Sequence, residues 1–367
     1  MDPISLGIFL ILWALGFILL GRIEFPASGP GPGAPQRTVS VIIPARNESA
    51  NIGELLRSLQ RQTYGASEII VVDDHSTDET GEAARSGGAT VIESGDLPTG
   101  WCGKPWACWQ GARRAGGEIL VFLDADTRLE LQGLERLVAT HAERGGLVSV
   151  QPYHLMEHPY EQLAAFFNLI TLASLGVFGL FDAHRRPAGA FGPCNVCSRQ
   201  DYFAVGGHSK ASAAVVESLP LGQAFRSSGL DLRCLGGKGA VSFRMYHEGP
   251  RSLMEGFGKS FALGAKTLPL AIPVLITAWL CAGVEPIRHL VQETLGGSGI
   301  GLLVWSGCYL LFAGQLYWML IRVGNFRWST ALAYPVPLGF FMHVFLRSLL
   351  SAFLFKRVSW KGRVINT

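Results

Sequence analysis

Two stretches of this chain share one design. Glu68 to Asp74 and Glu118 to Asp126 each open on an acidic residue, run through uninterrupted apolar side chains and end in carboxylates. A strand apolar on both faces is buried on both, the pattern of a parallel sheet covered by helices and not of an antiparallel sheet with one wet face. In open sheets of that kind ligands bind beyond the carboxyl ends of the strands, so Asp73, Asp74, Asp124 and Asp126 are expected to converge on one crevice. Carboxylates gathered there suit a divalent cation, Mg2+ or Mn2+, and a phosphorylated ligand.

The flanking sequence extends the alternation. Thr38 to Pro44 is another buried run, and Ala89 to Ile92 and Leu147 to Val150 read as short strands. Between them, Ile52, Leu55, Leu56 and Leu59 share one helical face after a start at Asn51 with Glu54 three residues on. Ser76 or Thr77 is expected to cap a second helix, and Lys104 to Arg114 forms a third. Strands alternating with helices of this length imply right-handed crossovers and an α/β fold with a Rossmann-like, mostly parallel sheet flanked by helices.

Composition separates this module from the rest. With 49% hydrophobic and 16% charged residues, the chain is too apolar for an ordinary soluble enzyme. The excess is concentrated in Ile4 to Leu20, Leu268 to Val284, Gly299 to Ile321 and, apart from His343, Ala331 to Leu346. Each is near the roughly 17 to 25 residues that cross a bilayer as a helix. The first run lacks a basic segment before it and is followed by Gly21-Arg22, the pattern of an uncleaved anchor with its amino terminus outward. Leu163 to Phe181 is also apolar. A crossing there would part Asp124 and Asp126 from the charged residues downstream, so a buried or interfacial helix is expected instead.

Charge and cysteines narrow the function classes. A formal charge of +3 with no basic nucleic-acid module argues against nucleic acid as a partner. No carboxylate pair lies within the apolar runs, which argues against a transporter. Cys194 and Cys197 have no second pair at zinc-site spacing, and seven scattered thiols fit a reducing, cytosolic face. After the first buried strand, the loop from Pro44 through Arg46, Asn47 and Glu48 can present an amide, a guanidinium and a carboxylate to a nucleotide. Lys104 lies among Gly100, Trp101, Gly103 and Trp106, where glycines admit a close backbone and the ammonium can pair with a diphosphate.

These residues reach a resemblance. Pro44 with Asn47-Glu48, Val72-Asp73-Asp74 through Asp78, Gly103-Lys104 with Ala107 and Gly111, and Leu123-Asp124-Ala125-Asp126 resemble the donor-binding half of family 2 glycosyltransferases in order and approximate spacing. Gly100-Trp101, Gln151-Pro152-Tyr153, Phe191-Gly192-Pro193-Cys194 and Gly206-Gly207-His208 are similar to the hopene-associated and the diaponeurosporenoate (carotenoid) glycosyltransferases. The resemblance covers nearly the whole chain and implies a GT-A fold. It also implies a nucleotide-sugar donor, a UDP-sugar with uracil at Asp73. The diphosphate would be held through a metal by Asp124 and Asp126, and the anomeric centre inverted.

Two departures bear on mechanism. Inversion by single displacement needs one base for the acceptor's proton, and the family's Glu-Asp pair is here Glu217-Ser218. Either Glu217 serves as base, or Ser218 leaves the site without one, and the protein binds sugar nucleotide as a catalytically weak scaffold or needs an acceptor already anionic, such as a carboxylate or phosphate. The Gln-x-x-Arg-Trp signature of many lipid-directed relatives is absent. Arg244, Arg251 or Lys259 is left to meet the diphosphate, or else to snorkel from an amphipathic interfacial helix.

The expected organisation is an anchor over 1–21, a linker over 22–37, the GT-A domain over 38–248, an amphipathic interfacial segment over 249–267, membrane helices over 268–355 and a basic tail over 356–367. The tail should be cytoplasmic by the positive-inside bias. The run from Ala331, broken by Pro335 and Pro337, is then interfacial or re-entrant, a fourth span being the alternative. Such a chain belongs in a bacterial inner membrane, its catalytic face toward the cytoplasm. One partner is a soluble nucleotide-sugar donor and the other a lipid acceptor, which the resemblance makes an isoprenoid of hopanoid or carotenoid type, a sphingolipid-like or polyprenyl-phosphate acceptor being the alternative.

Overall fold

The computed structural model describes residues 3–29, 37–180, 187–214, 216–246, 248–265, 270–296, 298–354, 357–360 and 363–366, with 259–265 and those from 351 onward described by backbone alone. The chain divides into two units. One holds Glu24–Leu155 and Arg186–Arg244, the other Met1–Ile23, Met156–Arg185 and Met245–Thr367.

Among the described residues the first unit holds ten strands: β1 Val39–Ala45, β2 Glu68–Asp73, β3 Thr90–Glu93, β4 Ile119–Leu123, β5 Thr127–Leu129, β6 Leu147–Gln151, β7 Tyr153–His154, β8 Cys194–Ser198, β9 Leu232–Gly236 and β10 Val241–Phe243. Seven of them form the main sheet in the order β3-β2-β1-β4-β8-β6-β9. Strands β3, β2, β1 and β4 run parallel, β8 is antiparallel to both β4 and β6, and β9 is parallel to β6. The period of two sorts side chains between two apolar layers. Val39, Val41 and Ile43 pack with Ile52, Leu55, Leu56 and Leu59 on one side. Ile42, Ile70 and Val72 pack with Ala107, Cys108 and Ala112 on the other.

Helix Gly103–Arg114 approaches the sheet closely enough that a Cβ on Gly111 would lie 2.5 Å from Ile42 Cγ2. That contact fixes the height of the helix start, where Lys104 stands. A small second sheet, β5-β10-β7, returns the chain to the end of β4. Through it the Arg244 backbone N–H donates to Asp126 O at 3.4 Å.

Local starts differ from the sequence expectation. The helix Ser49–Gln60 begins before Asn51, with Glu48 as its cap residue. Asn51 sits in its first turn and donates to Glu48 Oε2 at 2.8 Å. The next helix is Thr80–Ser86 and is not capped by Ser76 or Thr77. The Ser76 hydroxyl accepts from Asn47 N–H and the Thr77 N–H donates to Asn47 Oδ1, so both are committed to tying the first two strand ends together.

In the second unit, three helices among the described residues are long and apolar enough to cross a membrane: Pro3–Leu20, Ala271–Gly296 and Gly299–Val323. Gln315 joins them. It accepts from Trp279 Nε1 at 3.0 Å and donates to Trp13 O at 2.9 Å, the kind of polar bridge that low-dielectric packing favours. A further helix spans Pro335–Leu354. Its prolines do not break it as expected from the sequence, because Pro335 is its first residue and Pro337 lies in its first turn, where no N–H is needed. The apolar stretch from Leu163 holds a helix of only 10 residues, Ala165–Ser174. At 1.5 Å per residue that is about half of a bilayer core. Its Phe167 stacks on Phe257 at 4.2 Å. Phe181, part of the linker (30–36) and part of the tail (356, 361–362 and 367) lie outside the described residues.

Candidate active site

The carboxyl end of β4 carries the site. Strand β4 is fully buried, and its last apolar residue, Leu123, delivers Asp124 to the sheet edge. There the chain turns, with the Thr127 N–H and hydroxyl both donating to Asp124 O, at 3.1 and 2.7 Å. Across the edge, Lys104 rises from the first turn of helix Gly103–Arg114. Its Nζ lies 2.7 Å from Asp124 Oδ1 and 2.8 Å from Glu217 Oε1. One ammonium thus bridges two carboxylates, Asp124 and Glu217, that are far apart in the chain.

Glu217 precedes helix Ser218–Ser227, where the helix dipole favours an anion. Its side chain is 7% exposed against 28% for Asp124, so the bridge runs from a sheltered carboxylate to a more open one. A loop closes over it. A Cβ on Gly192 would lie 3.5 Å from Lys104 Nζ, 3.6 Å from Glu217 Oε1 and 3.9 Å from Ser218 Oγ. That loop is pinned from beneath. The Phe191 N–H donates to Ser149 Oγ at 2.7 Å, Asn195 Nδ2 donates to Phe191 O at 2.8 Å, and Asp124 N–H donates to Pro193 O at 2.9 Å.

The electrostatics follow from crowding. Burial opposes charge on Lys104, yet the facing carboxylates of Asp124 and Glu217 hold its ammonium well above the ordinary lysine value. Asp126 has the opposite problem. Burial, then the charges of Asp124 and Glu48, push its carboxyl up to about 7. Beneath the site His208 is buried against Phe122, and its ring Nδ1 meets the Tyr202 hydroxyl at 2.9 Å. Burial and the nearby Lys104 charge lower it to about 3, so it is neutral.

Among the described residues, no three His, Cys, Asp or Glu side chains are gathered into a metal cage. The donor set at the end of β4 is nevertheless hard, anionic oxygen, with Asp126 lacking enough positive charge nearby to stay ionised easily. That fits Mg2+ or Mn2+ bound through one or two carboxylates and completed by substrate phosphates and water.

The other residues singled out in the sequence are placed differently. Pro44 is within β1, at its register partner Val72. Asn47, at φ 53°, spends its side-chain oxygen on Thr77, and the Glu48 N–H donates to Thr80 Oγ1 at 2.8 Å. Asp73 accepts from Ser76 N–H at 2.9 Å, and Asp74, 4% exposed, faces Arg46 at 3.7 Å. Arg244 follows β10 beside Asp126. Arg251 is exposed on helix Pro250–Ala265, in the other unit, and the side chain of Lys259 lies outside the described residues. Ser218 is 2% exposed and begins its helix. Sequence reasoning missed Gly192 and Asn195 as site residues, although Phe191-Gly192-Pro193 stood out as a motif.

Comparison with known proteins agrees with this architecture. A profile of glycosyl transferase family 2 matches residues 40–171. The 4,4'-diaponeurosporenoate glycosyltransferase of Staphylococcus aureus (strain USA300) is 37% identical over 331 residues, which cover 89% of this chain and 88% of the relative. Its counterpart in strain MRSA252 is 37% identical over 332 residues, with the same shares covered. Among solved structures, a mannosyltransferase from Pyrobaculum calidifontis, in complex with GDP-Man and Mn2+, superimposes with a TM-score of 0.52 at 19% identity. It covers 90% of this chain and 95% of that one. The shared feature is the GT-A fold.

Proposed function

The chain belongs to glycosyl transferase family 2, and on that premise we propose that it moves a hexose, with inversion, from a UDP-sugar to a membrane isoprenoid lipid of hopanoid or carotenoid type. The observation that carries the reading is the bridge at the end of β4, where one ammonium joins Asp124 to the sheltered carboxylate of Glu217. In this reading the donor's metal ligand and the base share one cation.

In this reading Asp124 and Asp126 hold the metal side of the donor. A divalent ion there would bind the diphosphate and offset the charge growing on the leaving group. Lys104 supplies a second positive charge to the diphosphate. Asp73, Asp74, Pro44, Asn47 and Glu48 shape the nucleotide pocket, with Arg244 as a further cation for the phosphates. Glu217, released as Lys104 turns to the diphosphate, takes the proton when the acceptor is a hydroxyl, whereas an acceptor carboxylate is already ionised and attacks without a base. Ser218 is a neutral neighbour lining the pocket.

Three helices of membrane-crossing length suit an enzyme whose second substrate stays in the bilayer, and a 37%-identical relative is named for a carotenoid acid. We place the catalytic face in the bacterial cytoplasm, where nucleotide sugars are made. A second reading has one observation behind it. Ser218 stands where the family's aspartate base is expected, which suits a protein that binds sugar nucleotide without efficient turnover.

One experiment separates the two. Full-length protein in detergent with Mn2+ is given UDP-glucose or GDP-mannose and isoprenoid lipid extract, and products are read by mass spectrometry. Gain of one hexose on an isoprenoid species, from the UDP-sugar, is the expected result. UDP binding with no transfer to any lipid supports the second reading.

A further inference from the structure

We propose that Lys104 is an internal cation that occupies the metal's position on Asp124 until a nucleoside diphosphate arrives, so that metal and nucleotide enter the site together. The inference rests on the reading of Asp124 as a metal ligand and concerns how that site is regulated.

The geometry argues for it directly. Lys104 Nζ lies 2.7 Å from Asp124 Oδ1, at full charge-assisted contact, and 2.8 Å from Glu217 Oε1. A divalent ion on the same Asp124 oxygen would sit next to the ammonium, and two cations that close in a sheltered cleft repel strongly. Metal binding therefore requires the ammonium to withdraw. In the absence of nucleotide its alternative is poor, because moving away forfeits both carboxylates and leaves the sheltered Glu217 without its cation.

A diphosphate changes that balance. Its oxygens offer the ammonium new anionic partners on a flexible four-carbon stem, while the vacated Asp124 joins those oxygens around the metal. Removal of the ammonium also releases Glu217 from its tether. Metal alone does not achieve this, since it brings repulsion and no replacement partner for Lys104.

The test is Mn2+ binding to full-length protein in detergent micelles, followed by loss of the free-ion electron paramagnetic resonance signal, with no acceptor and no turnover. Without nucleotide, Lys104→Met is expected to bind Mn2+ at least about tenfold more tightly than the wild type, because the competing charge is gone. Lys104→Arg, which keeps the charge, should stay weak. Lys104→Gln serves as a second neutral variant should the methionine variant fail to fold. Uridine diphosphate should tighten Mn2+ binding more in the wild type than in either neutral variant. Equal Mn2+ affinity of wild type and neutral variants without nucleotide overturns the inference and leaves the metal reading standing. No Mn2+ bound by any of them even with uridine diphosphate overturns both.

Discussion

At the end of β2 the aspartates are held by a backbone N–H and a guanidinium, whereas at the end of β4 Asp124 shares one ammonium with a second carboxylate and Asp126 is crowded by like charge. Asp73 accepts the N–H of Ser76 three residues on, and Asp74 is buried beside Arg46. Asp124 instead meets Lys104, which also holds Glu217, and Asp126 stays crowded by like charge. Two stretches of nearly identical design therefore divide the labour. One ties together the loops after β1 and β2, and the other, in the proposed function, keeps its carboxylates available for ligands. A carboxylate whose hydrogen bonds are spent locally contributes mainly to stability, while one held by a displaceable cation is poised for chemistry.

The contrast can be broken most sharply at Asp124. Asp124→Asn is expected to lower sugar transfer on the order of a thousandfold, as removal of a charge-stabilising group does, with little change in thermal midpoint. A stability loss as large as the activity loss would erase the distinction between the two strand ends. Arg46→Met tests the other end. It removes the guanidinium that faces Asp74 and bonds its carbonyl, and should cost about 2 to 3 kcal/mol of stability, read as a lower thermal midpoint in detergent, with UDP affinity falling only as the loop loosens.

A pH experiment probes the floor of the β4 site. His208 is lowered in the folded protein from 6.5 to about 3 by burial and by Lys104, so the unfolded chain binds the proton more readily. The stability this group allows is fully present above about 6.5 and drains as pH falls toward about 3. Moving from pH 7.5 to pH 5 should cost about 2 kcal/mol through this group, and His208→Asn should flatten that part of the profile. The smallest effect is expected at Asp73→Ala. Loss of the Ser76 hydrogen bond should cost about 1 kcal/mol and reduce donor affinity more than turnover.

The same contrast explains what could be read from the sequence. Strands β1 to β4 and β6 were legible because each is a nearly continuous apolar run bounded by polar residues. Strands β8 and β9 were not. Asn195 and Arg233 interrupt their apolar patterns, and only the fold shows Asn195 donating to Phe191 O and Arg233 paired with Glu143 at 2.7 Å. The helix after Asp74 was misplaced because Ser76 and Thr77 serve Asn47 across the strand ends, a use no local pattern reveals. In the site, Lys104, Asp124 and Glu217 were each identifiable by type and motif. Their meeting was not, since it depends on Gly111 letting a helix close on β1 and on a pinned loop passing Gly192 over the bridge.

Glu217 is the proposed base beside the donor. The most direct measurement compares Glu217→Gln with the wild type, taking the initial rate of hexose transfer to isoprenoid lipid and UDP affinity from the same preparation. A rate reduced by about a hundredfold or more, with UDP affinity kept within about threefold of the wild type, is the expected result. Transfer within about threefold of the wild type would contradict the assignment and show that the acceptor's proton leaves by another route.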